Sequence, residues 1–181
     1  MSQKFQTFRF RLFLPSRRQG QTLVEALVAI SALTIGFLGV IGLLNRSIGL
    51  NRVVADSYVA TYISLEGIEV VKNILDDNAI ARGGGALIPW NEGVTTGNYE
   101  LDYTSPSLVA YGTGELYFDP GTGFYSRTGG GSATLTRFTR RITISVAPDG
   151  ESLSAHSIIS WSGRGSGSFS IDLEDRFYAW R

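Results

Sequence analysis

Polar residues almost vanish between Leu23 and Leu44, and residues 26–44 are 19 positions without a charged side chain. A helix of that length covers roughly 28 Å at about 1.5 Å per residue, close to the ~30 Å hydrocarbon core of a bilayer. The pattern predicts a membrane-spanning helix over about 23–44. Beyond it Val54, Tyr58, Tyr62, Leu65, Ile68, Val71 and Leu75 recur every three or four residues, with Asp56, Glu66, Glu69, Lys72 and Asp76 between them. That spacing puts one apolar stripe on a helix. It predicts that the same helix continues out of the membrane as a stalk on the order of 80 Å, its stripe turned toward a sheet. Asp76, Asp77 and Asn78, followed by Arg82 and a run of glycines, read as its end.

From Ala86 the period changes to two. Phe138, Ile142, Ile144 and Val146 alternate with Thr139, Arg141, Thr143 and Ser145, and Phe169, Ile171 and Leu173 alternate with Ser168, Ser170 and Asp172. Each is the pattern of a half-buried strand. Residues 155–161 supply a strand between them, joined to the last one by a loop from Gly163 to Gly167, and the final strand is expected to end near Trp180. Shorter strands are expected at 99–104 and 115–118, a turn at 119–123 and a loop at 128–132. A long helix followed by an antiparallel sheet with one apolar face is an α+β arrangement, because the helix stripe is the available cover for that face.

Charge sharpens the division. Residues 1–20 carry Lys4, Arg9, Arg11, Arg17 and Arg18 and no acid, a charge of +5; residues 21–181 carry 11 basic and 16 acidic groups, a charge of −5. Basic residues ahead of an apolar span place the N-terminus in the cytoplasm and the head outside. An acidic remainder argues against non-specific nucleic-acid binding, which needs a basic stripe; Arg137, Arg140 and Arg141, on one strand, are where such binding would be sought. The chain has no cysteine, which excludes disulfides, thiolate metal sites and cysteine nucleophiles. The apolar run is longer than the ~7–15 residues of a cleavable secretory signal, and no small-residue cleavage site follows it.

One residue does not suit a plain anchor. Glu25 stands at the mouth of the apolar run, where an ionisable side chain is costly and marks a function. It lies five residues after Gly20, which follows the basic pair Arg17 and Arg18. This string resembles the processing signal of type IV pilins and type II secretion pseudopilins. The resemblance implies that a prepilin peptidase cuts after Gly20 on the cytoplasmic side and that the apolar helix is kept. Gln21 would then be the first mature residue, its amino group either methylated or lost to cyclisation of the glutamine, and Glu25 the fifth. The chain departs from the family in carrying Gln21 where Phe or Met is usual, and Gly42 where many pilins have a proline. The division expected is a basic leader at 1–20, removed on maturation, a long helix at 21–78 and a β-rich head at 79–181. The C-terminal strands are similar to those of minor pilins of the modification type. The function implied is a structural, minor subunit of a pilus-like filament, with other pilin subunits and the membrane as partners. A pseudopilin of a secretion or DNA-uptake system, or a non-polymerising anchored binding domain outside the cell, is the alternative.

The head offers no catalytic constellation. His156 is the sole histidine and reads as a satisfied or exposed strand residue. Asp76, Asp77 and Asn78 read as a helix cap, and neither they nor Asp172, Glu174 and Asp175 have the spaced oxygen donors of a calcium loop. No nucleophile elbow, phosphate loop or dinucleotide fingerprint is present, so no enzyme activity, cofactor or metal is expected. The many head aromatics are expected to divide between core and subunit contacts.

Overall fold

The computed structural model describes residues 18–163 and 167–179. Expectations for residues 1–17 of the leader, Arg17 among them, for the middle of the loop after Gly163, and for Trp180 lie outside the described residues. Among the described residues one helix, α1, runs over Arg18–Gly83, and seven strands follow: β1 Gly97–Glu100, β2 Val109–Ala110, β3 Glu115–Phe118, β4 Tyr125–Ser126, β5 Thr134–Val146, β6 Ser152–Ser162 and β7 Ser168–Tyr178. The chain divides into two compact units, one ending at Leu50 and the other beginning at Asn51. The architecture is α+β and pilin-like: a long apolar N-terminal helix, then an antiparallel sheet.

In the first unit every described side chain from Gly20 to Leu50 is exposed. The helical segment beginning at Gly20 is long and apolar enough to cross a membrane. Its hydroxyls are satisfied within the helix: Ser31 Oγ donates to Leu27 O at 2.7 Å and Thr34 Oγ1 to Ile30 O at 2.7 Å. This i−4 bonding lets a polar side chain sit in an apolar surround without an unpaired donor.

In the second unit the long strands β5, β6 and β7 form an antiparallel meander, paired from Phe138↔Trp161 to Val146↔Leu153 and from Ser152↔Tyr178 to Ser162↔Ser168. The other edge of β5 is shared. Its C-terminal half pairs with β1, itself paired to β2, and its N-terminal half pairs with β3, itself paired to β4. The alternation seen in the sequence sets which side chains of β5 and β6 face inward: Phe138, Arg140, Ile142 and Ile144, with Leu153, Ala155, Ser157, Ile159 and Trp161.

The outer part of α1 covers that face, but with other residues than the stripe predicts. Ile68, Val71 and Leu75 are buried as expected, whereas Val54, Tyr58, Tyr62 and Leu65 are exposed. The face that packs on the sheet is made by Asp56, Ala60, Ile63, Ser64, Gly67, Ile68, Val70, Val71 and Leu75. The reason is close approach. A Cβ on Gly67 would come within 2.5 Å of Ser157 Oγ and 2.9 Å of Ile142 Cδ1, and Ser64 Oγ donates to Ser157 O at 2.7 Å. Small residues let the helix backbone reach β6, so it turns them, rather than its tyrosines, to the sheet. The apolar core falls into two clusters. One joins Ile68, Val70, Val71 and Leu75 to Ile142, Ile144, Leu153 and Phe177; the other joins Ala60 and Ile63 to Leu116, Phe138, Ile159 and Trp161.

The helix also ends later than expected. Asp76, Asp77 and Asn78 lie within α1, which continues to Gly83. Two bonds close it, Ala86 N–H to Ala81 O at 3.0 Å and Gly85 N–H to Arg82 O at 2.9 Å, with Gly85 at φ 96°. That Schellman geometry needs the left-handed conformation a glycine adopts without strain. Asn78 is therefore not a cap. Its side chain donates to Trp90 O and Glu92 O, and Trp90 Nε1 donates to Gly150 O at 2.8 Å, which fastens the loop after the helix to the β5–β6 turn. The first short strand stops at Glu100, because residues 102–105 form a turn around Asp102.

Candidate prepilin processing and assembly site

Gly20, Gln21 and Glu25 all lie in α1, whose first residue is Arg18. The Gly20–Gln21 bond lies near the start of the described part of α1. A Cβ on Gly20 would meet nothing within 4 Å. Gln21 and Glu25 are four apart and share a helix face, about 6 Å from one another along the axis.

Glu25 is exposed and has no partner among the described residues. Ser31 and Thr34 hide their polarity against their own backbone, but a carboxylate cannot, having only acceptors. Its charge in an apolar medium needs a cation from elsewhere. Ala29, Ala32, Gly36 and Gly39 follow it on the same face at steps of three and four, and nothing lies within 4 Å of a Cβ built on either glycine. The charge pattern had singled out Glu25, but the small-residue line in register with it emerges only once the span is set out as a helix.

Residues 15–41 match the model of a family described as the prokaryotic N-terminal methylation motif. This is a prepilin-type N-terminus. The prepilin motif supports a pilin or pseudopilin type of protein, a family of structural subunits rather than enzymes. It implies processing by a prepilin peptidase and assembly with other pilins, and together with the apolar helix it fits a membrane-anchored pilin. No curated protein and no solved structure matches the chain.

The head corrects the arginine triad. Arg140 is 2% exposed and faces α1: Nη1 donates to Ile63 O at 3.1 Å and to Glu66 Oε1 at 2.9 Å, and Nη2 donates to Leu101 O. Arg137 pairs with the largely buried Asp56. Both cations hold β5 to the helix; Arg140 is buried there, whereas Arg137 and Arg141 are exposed, so the three do not share one basic surface. The sequence had assigned Asp56 and Glu66 to the solvent side of the helix; each instead meets an arginine of the sheet.

The remaining polar candidates resolve into local structure. His156 Nδ1 lies 3.1 Å from Asp172 Oδ1 on the outer sheet face, Arg176 Nε donates to Glu174 at 3.1 Å, and Arg176 N–H donates to Asp175 Oδ1. Among the described residues no three His, Cys, Asp or Glu side chains are arranged to hold a metal ion. Asp102 is buried and ties two loops together. Its Oδ1 accepts from Thr104 N–H, Thr104 Oγ1 and Ser105 Oγ, and its Oδ2 accepts from Arg127 N–H at 3.0 Å. Burial pushes its pKa up, but the bonds from Arg127, Thr104 and Ser105 outweigh that and hold the carboxyl below its ordinary value. The hydrogen bonds of Ser132 Oγ and Gly121 N–H do the same for Asp119 in the β3–β4 turn.

Proposed function

We propose that this chain is the precursor of a structural, minor subunit of a type IV pilus-like filament, cut after Gly20 and assembled through its N-terminal helix. The observation that carries the reading is the match of the methylation motif over residues 15–41, which contains Gly20, Gln21 and Glu25. In this reading the basic leader at 1–20, with Arg17 and Arg18 at its end, stays in the cytoplasm, the span at 23–44 is retained, and the head lies outside the cell. Cleavage creates a cationic amine at Gln21, and that amine is the group methylated. In a filament of staggered helices the amine of one subunit meets the Glu25 carboxylate of the next, so that both charges are paired in an apolar core. The line of Ala29, Ala32, Gly36 and Gly39 beside Glu25 lets a neighbouring helix approach closely enough for that pairing.

The test is the intact mass and N-terminal sequence of the membrane-bound protein. The expected mature chain begins at Gln21 and keeps residues 23–44. A chain that begins at Met1, or beyond Leu44, would remove the reading. Replacement of Gly20 by a bulky residue is expected to leave full-length precursor in the membrane.

A further inference from the structure

Gln21 gains a chemistry of its own once the Gly20–Gln21 bond is cut. Its side chain is exposed, and its carboxamide has no hydrogen-bond partner among the described residues. Cleavage gives the same residue a free amine, within reach of that amide carbon. Attack of Nα on Cδ forms the Nα–Cδ bond of a lactam ring, pyroglutamate. The Cδ–Nε2 bond breaks, and the proton given up by Nα leaves with the amide nitrogen as ammonia. The step needs no oxidant, cofactor or second substrate. The helix does not oppose it. Closure engages only Nα, Cα and the side chain, and a ring on the first residue of a helix is tolerated because its nitrogen has no intrahelical acceptor to lose. The rest of α1, on to Gly83, keeps its backbone. What the ring removes is charge: a lactam nitrogen is neither basic nor nucleophilic. Phe and Met, the residues usual in the family at this position, cannot close such a ring.

We propose that Gln21 is a branch point in maturation. After the cut its amine is either methylated and kept for assembly or consumed in a pyroglutamate ring, and the cyclised chains assemble poorly. The proposal rests on cleavage after Gly20 and adds a second modification at the same atom. A chain that has cyclised offers no site for a methyl group and no cation to a Glu25 carboxylate, which then enters an apolar core unpaired. The two fates also differ in when they are open. A protonated amine held by a carboxylate is not a nucleophile, and in the filament reading that carboxylate belongs to a neighbouring subunit. The amine is therefore shielded only on assembly, and ring closure belongs to the unassembled pool in the membrane.

The test is mass spectrometry of the N-terminal peptide of the full chain, taken in parallel from membranes and from sheared filaments. Free amines are capped with a deuterated acyl reagent at lysis, so that rings closed during handling are not counted. The membrane pool is expected to contain a peptide that begins at residue 21, escapes capping and is lighter than the free form by one ammonia. Pyroglutamyl aminopeptidase is expected to remove its first residue, and its share is expected to grow in a pulse-chase. In filaments that share is expected to be about tenfold lower or less, since a cyclised subunit leaves a carboxylate uncompensated. Gln21→Asn, whose side chain is one carbon too short to close the ring, is expected to be cut normally, to show no loss of ammonia and to enter filaments at least as well as wild type. A membrane pool whose residue 21 carries only a free or methylated amine overturns the branch, and an equal cyclised share in membranes and filaments overturns its effect on assembly. A chain that still begins at Met1 sinks the cleavage reading itself.

Discussion

Glu25 shows how much one side chain determines here. The described part of the span contains hydroxyls that bond their own backbone and one carboxylate that cannot. Removing one member of a buried ion pair costs on the order of 3–5 kcal/mol, because the other charge is left uncompensated. Glu25→Ala is therefore expected to insert in the membrane and be cleaved normally but to assemble poorly, with Glu25→Asp intermediate because its shorter side chain must reach the same amine. The measurement is the amount of each variant that co-purifies with sheared filaments at equal membrane levels; equal incorporation of Glu25→Ala would contradict the proposed pairing. This residue was legible in the sequence because a charge at the edge of an uncharged run is conspicuous without a fold. Asp56, Glu66 and Arg140 were not. Each looks like an ordinary surface charge until β5 is laid against α1, after which Asp56 meets Arg137 and Glu66 meets Arg140.

At the scale of elements, the contact between α1 and β6 decides how the helix is rotated on the sheet. Gly67 is the point of closest approach, and alanine there would put its Cβ 2.5 Å from Ser157 Oγ and 2.9 Å from Ile142 Cδ1. Overpacking of this kind costs about 1–3 kcal/mol, against a gain of at most about 1 kcal/mol from helix propensity. Gly67→Ala is thus expected to lower the urea midpoint of a fragment beginning at Asn51. Gly83→Ala, with nothing within 4 Å of its new Cβ, is expected to leave the midpoint unchanged or raise it. An unchanged midpoint for Gly67→Ala would mean that helix and strand can separate without loss. The strands were readable because β5, β6 and β7 have one face in and one out, which leaves a period of two. The helix face was misread because apolar spacing shows that a stripe exists but not which of two stripes meets the sheet. On this helix the wider, more aromatic one turns outward.

For the whole molecule, the loops that brace the sheet make stability depend on acid. Asp102 has a folded pKa below its unfolded value of about 3.9. Its contribution is therefore fully present above that unfolded value and is lost as the pH falls through the lower folded one. The thermal midpoint of the head is expected to fall as the pH is taken from about 5 toward 2. Asp102→Asn is expected to start lower and to show a shallower fall over that window; an identical slope in the variant would place the acid sensitivity in other carboxylates. The sequence by itself determined the membrane helix, the prepilin signal and the β-rich character of the head, because each depends on residues close together in the chain. Only the tertiary structure decided the later helix end at Gly83, the pairing of Arg137 and Arg140 with helix carboxylates, and the outward turn of Tyr58 and Tyr62. Those depend on contacts between residues far apart in sequence, and the small side chains at Gly67 and Ser157 that permit the closest of them have no pattern of their own.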